Sequence, residues 1–236
     1  TNMTPPDKES LELWVSLTWL ASHTKRIQFG PLVTPISFRH PVHTARMASA
    51  VDDLSDGRLI LGMGAGWQER EHNTFGFELL GLNERFDRLE EGLQLIELLF
   101  RKNEPFDFTG NYFNMKQAIM LPGPQRSGGP PILIGGVGEK RTLPLAARYA
   151  DEWNAIFLKP NEFVTLNLKM DHFLASSGRD PGSLKRSMMT GLRFAKTHEE
   201  LAAKLDQTHQ SVDELRKRGI IVGVGKEIRE KLLELE

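Results

Sequence analysis

Val51-Asp-Asp-Leu-Ser-Asp-Gly-Arg-Leu-Ile-Leu-Gly-Met-Gly-Ala-Gly-Trp67 holds a helix end, a strand and a glycine-rich loop in one short stretch. Val42, Ala45, Ala48, Val51 and Leu54 keep helical spacing up to it, and Asp56-Gly57 ends that helix, because glycine takes the left-handed position past a C-terminus without strain. Leu59-Ile-Leu-Gly-Met-Gly64 is an unbroken apolar run, the mark of a parallel strand covered on both faces. The same alternation extends in both directions. Upstream, Thr4 as N-cap, Pro5 and Asp7 start a helix whose apolar face runs through Leu11, Trp14, Val15, Leu17, Leu20 and Ala21 to a stop near His23. Ile27 to Thr34 then reads as a buried strand and Pro35 to Pro41 as a loop. Downstream, Asn83 is expected to cap a long helix carrying Phe86, Leu89, Leu93, Ile96 and Phe100, followed by a small hairpin over Pro105 to Met115. Pro131 to Gly135, Trp153 to Leu158 and Ser187 to Phe194 are further strands. Helices are expected up to Ala150, over Asn161 to Ser177, from a Thr197–Glu200 capping box through Lys217, and over Lys226 to Glu236. Strands alternating with helices define an α/β fold with a parallel sheet.

Composition removes several function classes. The 236 residues include no cysteine, which excludes a disulfide-stapled module and any cysteine–metal site. A formal net charge of −1 offers no electrostatic case for nucleic acid or an anionic membrane. No apolar run approaches the ~20 residues of a membrane-spanning helix, and the polar opening, Thr1 to Ser10, does not read as a signal peptide. The expectation is a soluble, cytoplasmic protein.

The glycines carry the chemistry. Gly62-Met-Gly64-Ala-Gly66-Trp67 closes one strand, and Gly135-Gly136-Val137-Gly138 closes another just before a helix. Glycine lets backbone amides approach a ligand, helix N-termini favour anions, and parallel α/β proteins bind ligands at the carboxyl ends of their strands. Two such loops suggest a phosphate-bearing cofactor; tight turns without a ligand would look alike. A dinucleotide fingerprint would need glycine where Trp67 stands, and no P-loop or Gly-x-Ser-x-Gly elbow occurs. Glu69, Glu71 and His72 follow the first loop, so a proton donor or acceptor over the site is one reading and a solvated helix face the other. His40 and His43 flank Pro41, which argues against a metal pair. Arg39 suits an anion, a carbonyl cap, or a pair with Asp52 or Asp53. Trp67 and Trp153 could wall a planar ring or belong to the core. Arg85, Arg88 and Glu90 read as solvated charge on the long helix.

Taken in order, several segments resemble one family. They are Thr24 to Pro35, Phe38-Arg-His-Pro41, Val51 to Trp67, Glu71-His72, Glu84-Arg-Phe-Asp-Arg-Leu-Glu-Glu91, Pro131 to Gly136 and Ala147-Arg-Tyr-Ala-Asp-Glu-Trp-Asn154. The chain resembles the luciferase-like monooxygenase superfamily, in particular its coenzyme F420-dependent branch. The resemblance implies a (β/α)8 TIM barrel, as one domain over 1–236 with an insertion around 101–130. It implies a non-proline cis peptide bulging a strand, with Leu32, Val33 and Thr34 behind the cofactor ring. Gly64, Ala65, Gly66 and Trp67 would lie near the ring or its side chain, and Gly135, Gly136, Val137 and Gly138 would supply phosphate amides. His72 and Glu71 are the candidate catalytic groups. Only five strand segments are evident, so the first two strands and the last of the barrel are not represented, and an acid or base in the unrepresented strands is the alternative to His72 and Glu71. The function implied is F420-dependent hydride transfer to or from a small organic substrate, in a homodimer. Alternatives are an FMN-dependent two-component monooxygenase served by a flavin reductase, a non-catalytic flavin-binding barrel, and a nicotinamide-dependent dehydrogenase on a doubly wound sheet.

Overall fold

In the computed structural model, which describes residues 11–234, the first helix α1 (Leu13–His23) begins at Glu12, whose carboxylate accepts the Val15 N–H at 2.8 Å. The start signals at Thr4, Pro5 and Asp7 lie outside the described residues. The chain divides into two compact units, Thr1–Leu133 and Ile134–Glu236.

In the first unit, the strand expected over Ile27 to Thr34 is interrupted. Phe29 bridges to Leu59, and pairing resumes only at β1 (Thr34–Pro35), parallel to β2 (Leu61–Gly64), with Thr34 opposite Met63. Between them the backbone bulges, and the Leu32–Val33 peptide is cis. The two backbones lie so close here that only glycine fits: a Cβ on Gly30 would sit 1.9 Å from the Ile60 carbonyl oxygen, and one on Gly62 1.9 Å from that of Pro31. Pro31 also has no N–H to give a ladder.

Helix α2 (Pro41–Leu54) is capped by His40 Nδ1, which accepts the Val42 N–H at 3.3 Å, and it stops at Asp56 and Gly57, with φ of 57° and 74°. Short α3 (Glu69–Phe75) follows β2. Long α4 (Leu82–Arg101) starts just ahead of the expected cap at Asn83, with Glu84 accepting the Gly81 N–H at 3.1 Å. Helix α2 packs on both α1 and α4. The hairpin β3 (Phe106–Thr109) and β4 (Asn114–Ala118) is antiparallel as expected, and Glu91 on α4 accepts the N–H groups of Asn111, Tyr112 and Phe113 at 2.8, 2.9 and 2.6 Å. At the end of this unit the Leu61 N–H donates to the Pro131 carbonyl at 2.8 Å, just ahead of β5 (Ile132–Gly135), which runs across the unit boundary.

The second unit continues β5-β6-β7, with β6 (Glu152–Ile156) and β7 (Lys185–Met189) parallel. Helices α5 (Thr142–Tyr149) and α6 (Pro160–Ser176) connect them and pack together. Three sequence expectations need correction here. The single strand Ser187 to Phe194 is two, β7 and β8 (Leu192–Ala195), because Thr190 turns its hydroxyl to the Gly219 carbonyl and Gly191 accepts the Ile221 N–H at 2.9 Å. The single helix from Thr197 to Lys217 is α7 (His198–Gln207) and α8 (Val212–Lys217), separated at left-handed His209 (φ 50°) and restarted by Ser211, whose hydroxyl accepts the Glu214 N–H at 3.2 Å. An unexpected strand, β9 (Ile221–Val224), pairs parallel with β8 before α9 (Gly225–Leu233). This β-α-α-β piece encloses its own core of Ala195, Leu201, Leu205, Leu215, Ile220 and Val222.

Candidate cofactor site

In the first unit the candidate residues flank β1 and follow β2: Leu32 and Val33 precede β1, Thr34 opens it, and Gly64 to Trp67 lie at the carboxyl end of β2, the end where barrel folds place their chemistry. Thr34 is buried, and its hydroxyl has no hydrogen-bond partner among the described residues. An unpaired buried hydroxyl costs about 1–3 kcal/mol, so such an atom points to a missing partner. Val33 leans on the next strand: a Cβ on Gly64 would fall 2.5 Å from Val33 Cγ2. Leu32, before β1, and Trp67, after β2, are both large and apolar, and they are 50 % and 60 % exposed.

Gly66 (φ 80°) is fixed from two sides. Arg85 on α4 donates to its carbonyl at 2.8 Å, and a Cβ on it would fall 2.9 Å from Ser37 Oγ and 3.4 Å from His72 Nε2. Arg85 is thus a support for the loop rather than solvated charge, and its Nε is buried without a partner among the described residues.

His72 is buried on α3, with its ring 4.8 Å from that of Phe38. Its Nδ1 meets the Gln68 carbonyl at 2.7 Å, and its Nε2 meets Ser37 Oγ at 2.8 Å. A carbonyl only accepts, so Nδ1 carries a proton; with a single ring proton placed there, Nε2 is the acceptor of the Ser37 hydroxyl. Glu71, its neighbour, is exposed. The structure therefore brings Ser37, Gly66 and His72 together and leaves Glu71 at the surface. Ser37 was missed in the sequence; its signal was position, immediately beyond a strand end in Ser-Phe-Arg-His-Pro.

In the second unit, Gly136 (φ 124°) donates its N–H to the Asn154 carbonyl at 2.9 Å and accepts the Trp153 indole N–H at 2.8 Å. Trp153 is buried and stacks on Phe163, so it anchors the loop from the core. Gly136 and Gly138 both abut Thr142, the first residue of α5: added Cβ atoms would come within 3.3 and 2.9 Å of its side chain. The N–H groups of Val137 and Gly138 donate to nothing among the described residues. On β6, Asn154 donates to Ser187 Oγ at 2.8 Å, Ser187 donates to Glu152, and Lys185 pairs with Glu152 at 2.9 Å. The Asn154 Oδ1 is buried without a partner among the described residues.

The remaining candidates have structural partners. Arg39 pairs with Glu12, the cap of α1, and not with Asp52 or Asp53. Asp52, buried on α2, accepts the Leu59 N–H at 3.1 Å and Arg126 Nη2 at 2.7 Å. Burial raises its pKa above the ordinary carboxylate value, opposed by Arg126 and the Leu59 N–H. His40 is held below the usual histidine range by burial and by His43 and Arg88. Arg88 lies over the Phe113 ring at 5.8 Å. Among the described residues there is no group of three or more His, Cys, Asp or Glu placed to hold a metal, and no helix long and apolar enough to cross a membrane.

The family model described as luciferase-like monooxygenase matches residues 2–236. The F420-dependent hydroxymycolic acid dehydrogenase of Mycobacterium tuberculosis is 33 % identical over 175 residues, covering 72 % of this chain and 46 % of that protein. The chain spans about half the length of the curated relatives it matches, 46 % and 55 % for two of them. An F420-dependent secondary alcohol dehydrogenase in complex with an F420-acetone adduct superposes with a TM-score of 0.85 at 18 % identity, over 98 % of this chain and 76 % of that one. The oxygenating constituent of 3,6-diketocamphane monooxygenase from Pseudomonas putida, in complex with FMN, gives a TM-score of 0.74 at 18 % identity, over 94 % and 73 %. The chain belongs to the luciferase-like monooxygenase family, which has F420-dependent and FMN-dependent members, and takes part of that family's TIM-barrel fold.

Proposed function

We propose that this chain holds coenzyme F420 and serves hydride transfer between it and a secondary alcohol or the corresponding ketone. The observation that carries a phosphate-bearing cofactor is the Gly135–Gly138 turn. Gly136 is fixed through its N–H and its C=O, while the next two N–H groups, on Val137 and Gly138, have no partner among the described residues. Fixed, unpaired amides ahead of a helix are the arrangement that accepts phosphate oxygens. Within the first unit, the unpaired Thr34 hydroxyl could meet a polar ring edge, and the exposed Leu32 and Trp67 could meet an apolar ring face. We assign Leu32, Val33, Thr34 and Gly64 to Trp67 to the ring side, and Gly135 to Gly138 to the phosphate. The preference for F420 over FMN, and for an alcohol or ketone, rests on the F420-dependent hydroxymycolic acid dehydrogenase as a relative. When bound, the deazaflavin supplies a two-electron hydride acceptor at C5. The chain's own part is to orient that ring, exclude water and exchange the substrate's proton. The assembly we propose is a cytoplasmic homodimer.

The test is a titration of F420 and, separately, FMN, followed by tryptophan fluorescence. F420 is expected to quench, and Gly136→Asp to abolish the quenching while the fold persists by circular dichroism. Quenching by FMN alone moves the chain to the monooxygenase side of its family, with a reductase as partner. Quenching that survives Gly136→Asp removes the phosphate assignment.

A further inference from the structure

We propose that Ser37 is the catalytic residue that exchanges a proton with the substrate oxygen, and that His72 is a buried positioning residue that receives the proton behind it. The inference rests on the F420 reading above. Ser37 lies two residues past β1, next to the Ile36 N–H that closes the strand pair on Gly64 at 2.9 Å, and it is partly exposed. Its hydroxyl donates to His72 Nε2 at 2.8 Å, which leaves the oxygen's lone pairs able to accept a proton. His72 is 1 % exposed and cannot touch a substrate itself. Its Nδ1–H is spent on the Gln68 carbonyl at 2.7 Å, which fixes both the tautomer and the ring plane, and Phe38 covers one side. Gly66 lies close against the pair, where a side chain would collide with Ser37 Oγ.

In the direction of alcohol oxidation, a bound deazaflavin would accept the carbinol hydrogen as hydride, with the electron pair of the broken C–H bond. The carbinol O–H proton bonds to Ser37 Oγ, the original Ser37 proton passes to His72 Nε2, and the carbon–oxygen bond becomes a carbonyl. The relay resets when Ser37 returns the His72 proton to water. Ketone reduction runs the same transfers backwards.

The experiment uses the full chain with F420 and cyclohexanol or cyclohexanone as probes, together with the long-range 15N–1H histidine spectrum of the cofactor-free protein. His72 is expected as the Nδ1–H tautomer, with an Nε2 resonance that moves in Ser37→Ala. Ser37→Ala is expected to quench with F420 as the unaltered protein does but to lose about a hundredfold or more in kcat, while Ser37→Thr, which keeps the hydroxyl, recovers most of it. An Nε2-protonated His72 overturns the relay. So does undiminished turnover in Ser37→Ala, or a loss that appears only in KM. F420 quenching without turnover of either probe overturns it as well. Absence of F420 quenching in the unaltered chain overturns the cofactor reading, and the relay with it.

Discussion

Replacing Arg126 by Met tests the buried charge on which α2 and the following strand are set. Asp52 has a side chain only 2 % exposed, and its carboxylate is compensated by Arg126 Nη2 at 2.7 Å and the Leu59 N–H at 3.1 Å. Removing one partner of a buried pair destabilises by about 3–5 kcal/mol. Arg126 is 30 % exposed, so water can partly replace it, and about 2–3 kcal/mol is expected at pH 7. The pH dependence separates this cause from lost packing. Burial already raises the folded pKa of Asp52 above its ordinary value of 3.8, and Arg126 opposes that rise. Without Arg126 the folded value rises further. Below it the native state takes up a proton that the unfolded state does not yet bind, so the deficit shrinks as pH falls toward 3.8. Urea denaturation at pH 7 and pH 5 measures both quantities, and Asp52→Asn in the Arg126→Met background should recover part of the loss. Equal deficits at the two pH values, or a deficit below about 0.5 kcal/mol, would refute the reasoning.

Three further outcomes are expected. Gly62→Ala should unfold the chain or leave it insoluble, because its Cβ would meet the Pro31 oxygen at 1.9 Å; Gly76→Ala, with φ 72° and open space around it, should lower stability by only about 1 kcal/mol in a thermal melt. Glu91→Ala leaves the N–H groups of Asn111, Tyr112 and Phe113 without their acceptor, so those amides should exchange much faster in hydrogen-exchange NMR while the α4 amides do not. His40 has a depressed pKa, so the unfolded state binds its proton first and stability should fall as pH drops through 6.5; His40→Asn, which keeps a cap acceptor, should flatten that slope in chemical denaturation.

The alternation of strands and helices was legible because it is written in local signals. Asp56-Gly57 does stop α2, and Leu59 to Gly64 does contain a buried strand. What escaped was set by contacts distant in sequence. The break in pairing after Phe29 lies where the Gly30 and Gly62 backbones press against Ile60 and Pro31, which a local pattern does not show. The break at Thr190 follows from a carbonyl at Gly219. Ile221 to Val224 is too short a run to declare itself without β8 beside it. At the site, proximity to a glycine loop singled out His72, but periodicity carries no sign of its burial or of its bond to Ser37, 35 residues earlier. Arg39 had its partner in Glu12, beyond the reach of any local pattern.

The two bonds that hold Gly136 come from consecutive residues of one strand, the Trp153 indole and the Asn154 carbonyl. One partner is a buried side chain and the other is the strand's own backbone, so these bonds grip the turn from the side-chain layer and from the backbone at once. A fluctuation that frees the turn must break both together. The indole proton of Trp153 is therefore a slow clock for the turn: its exchange with deuterium reports how often the turn lets go, with no ligand in the tube and no label on the chain.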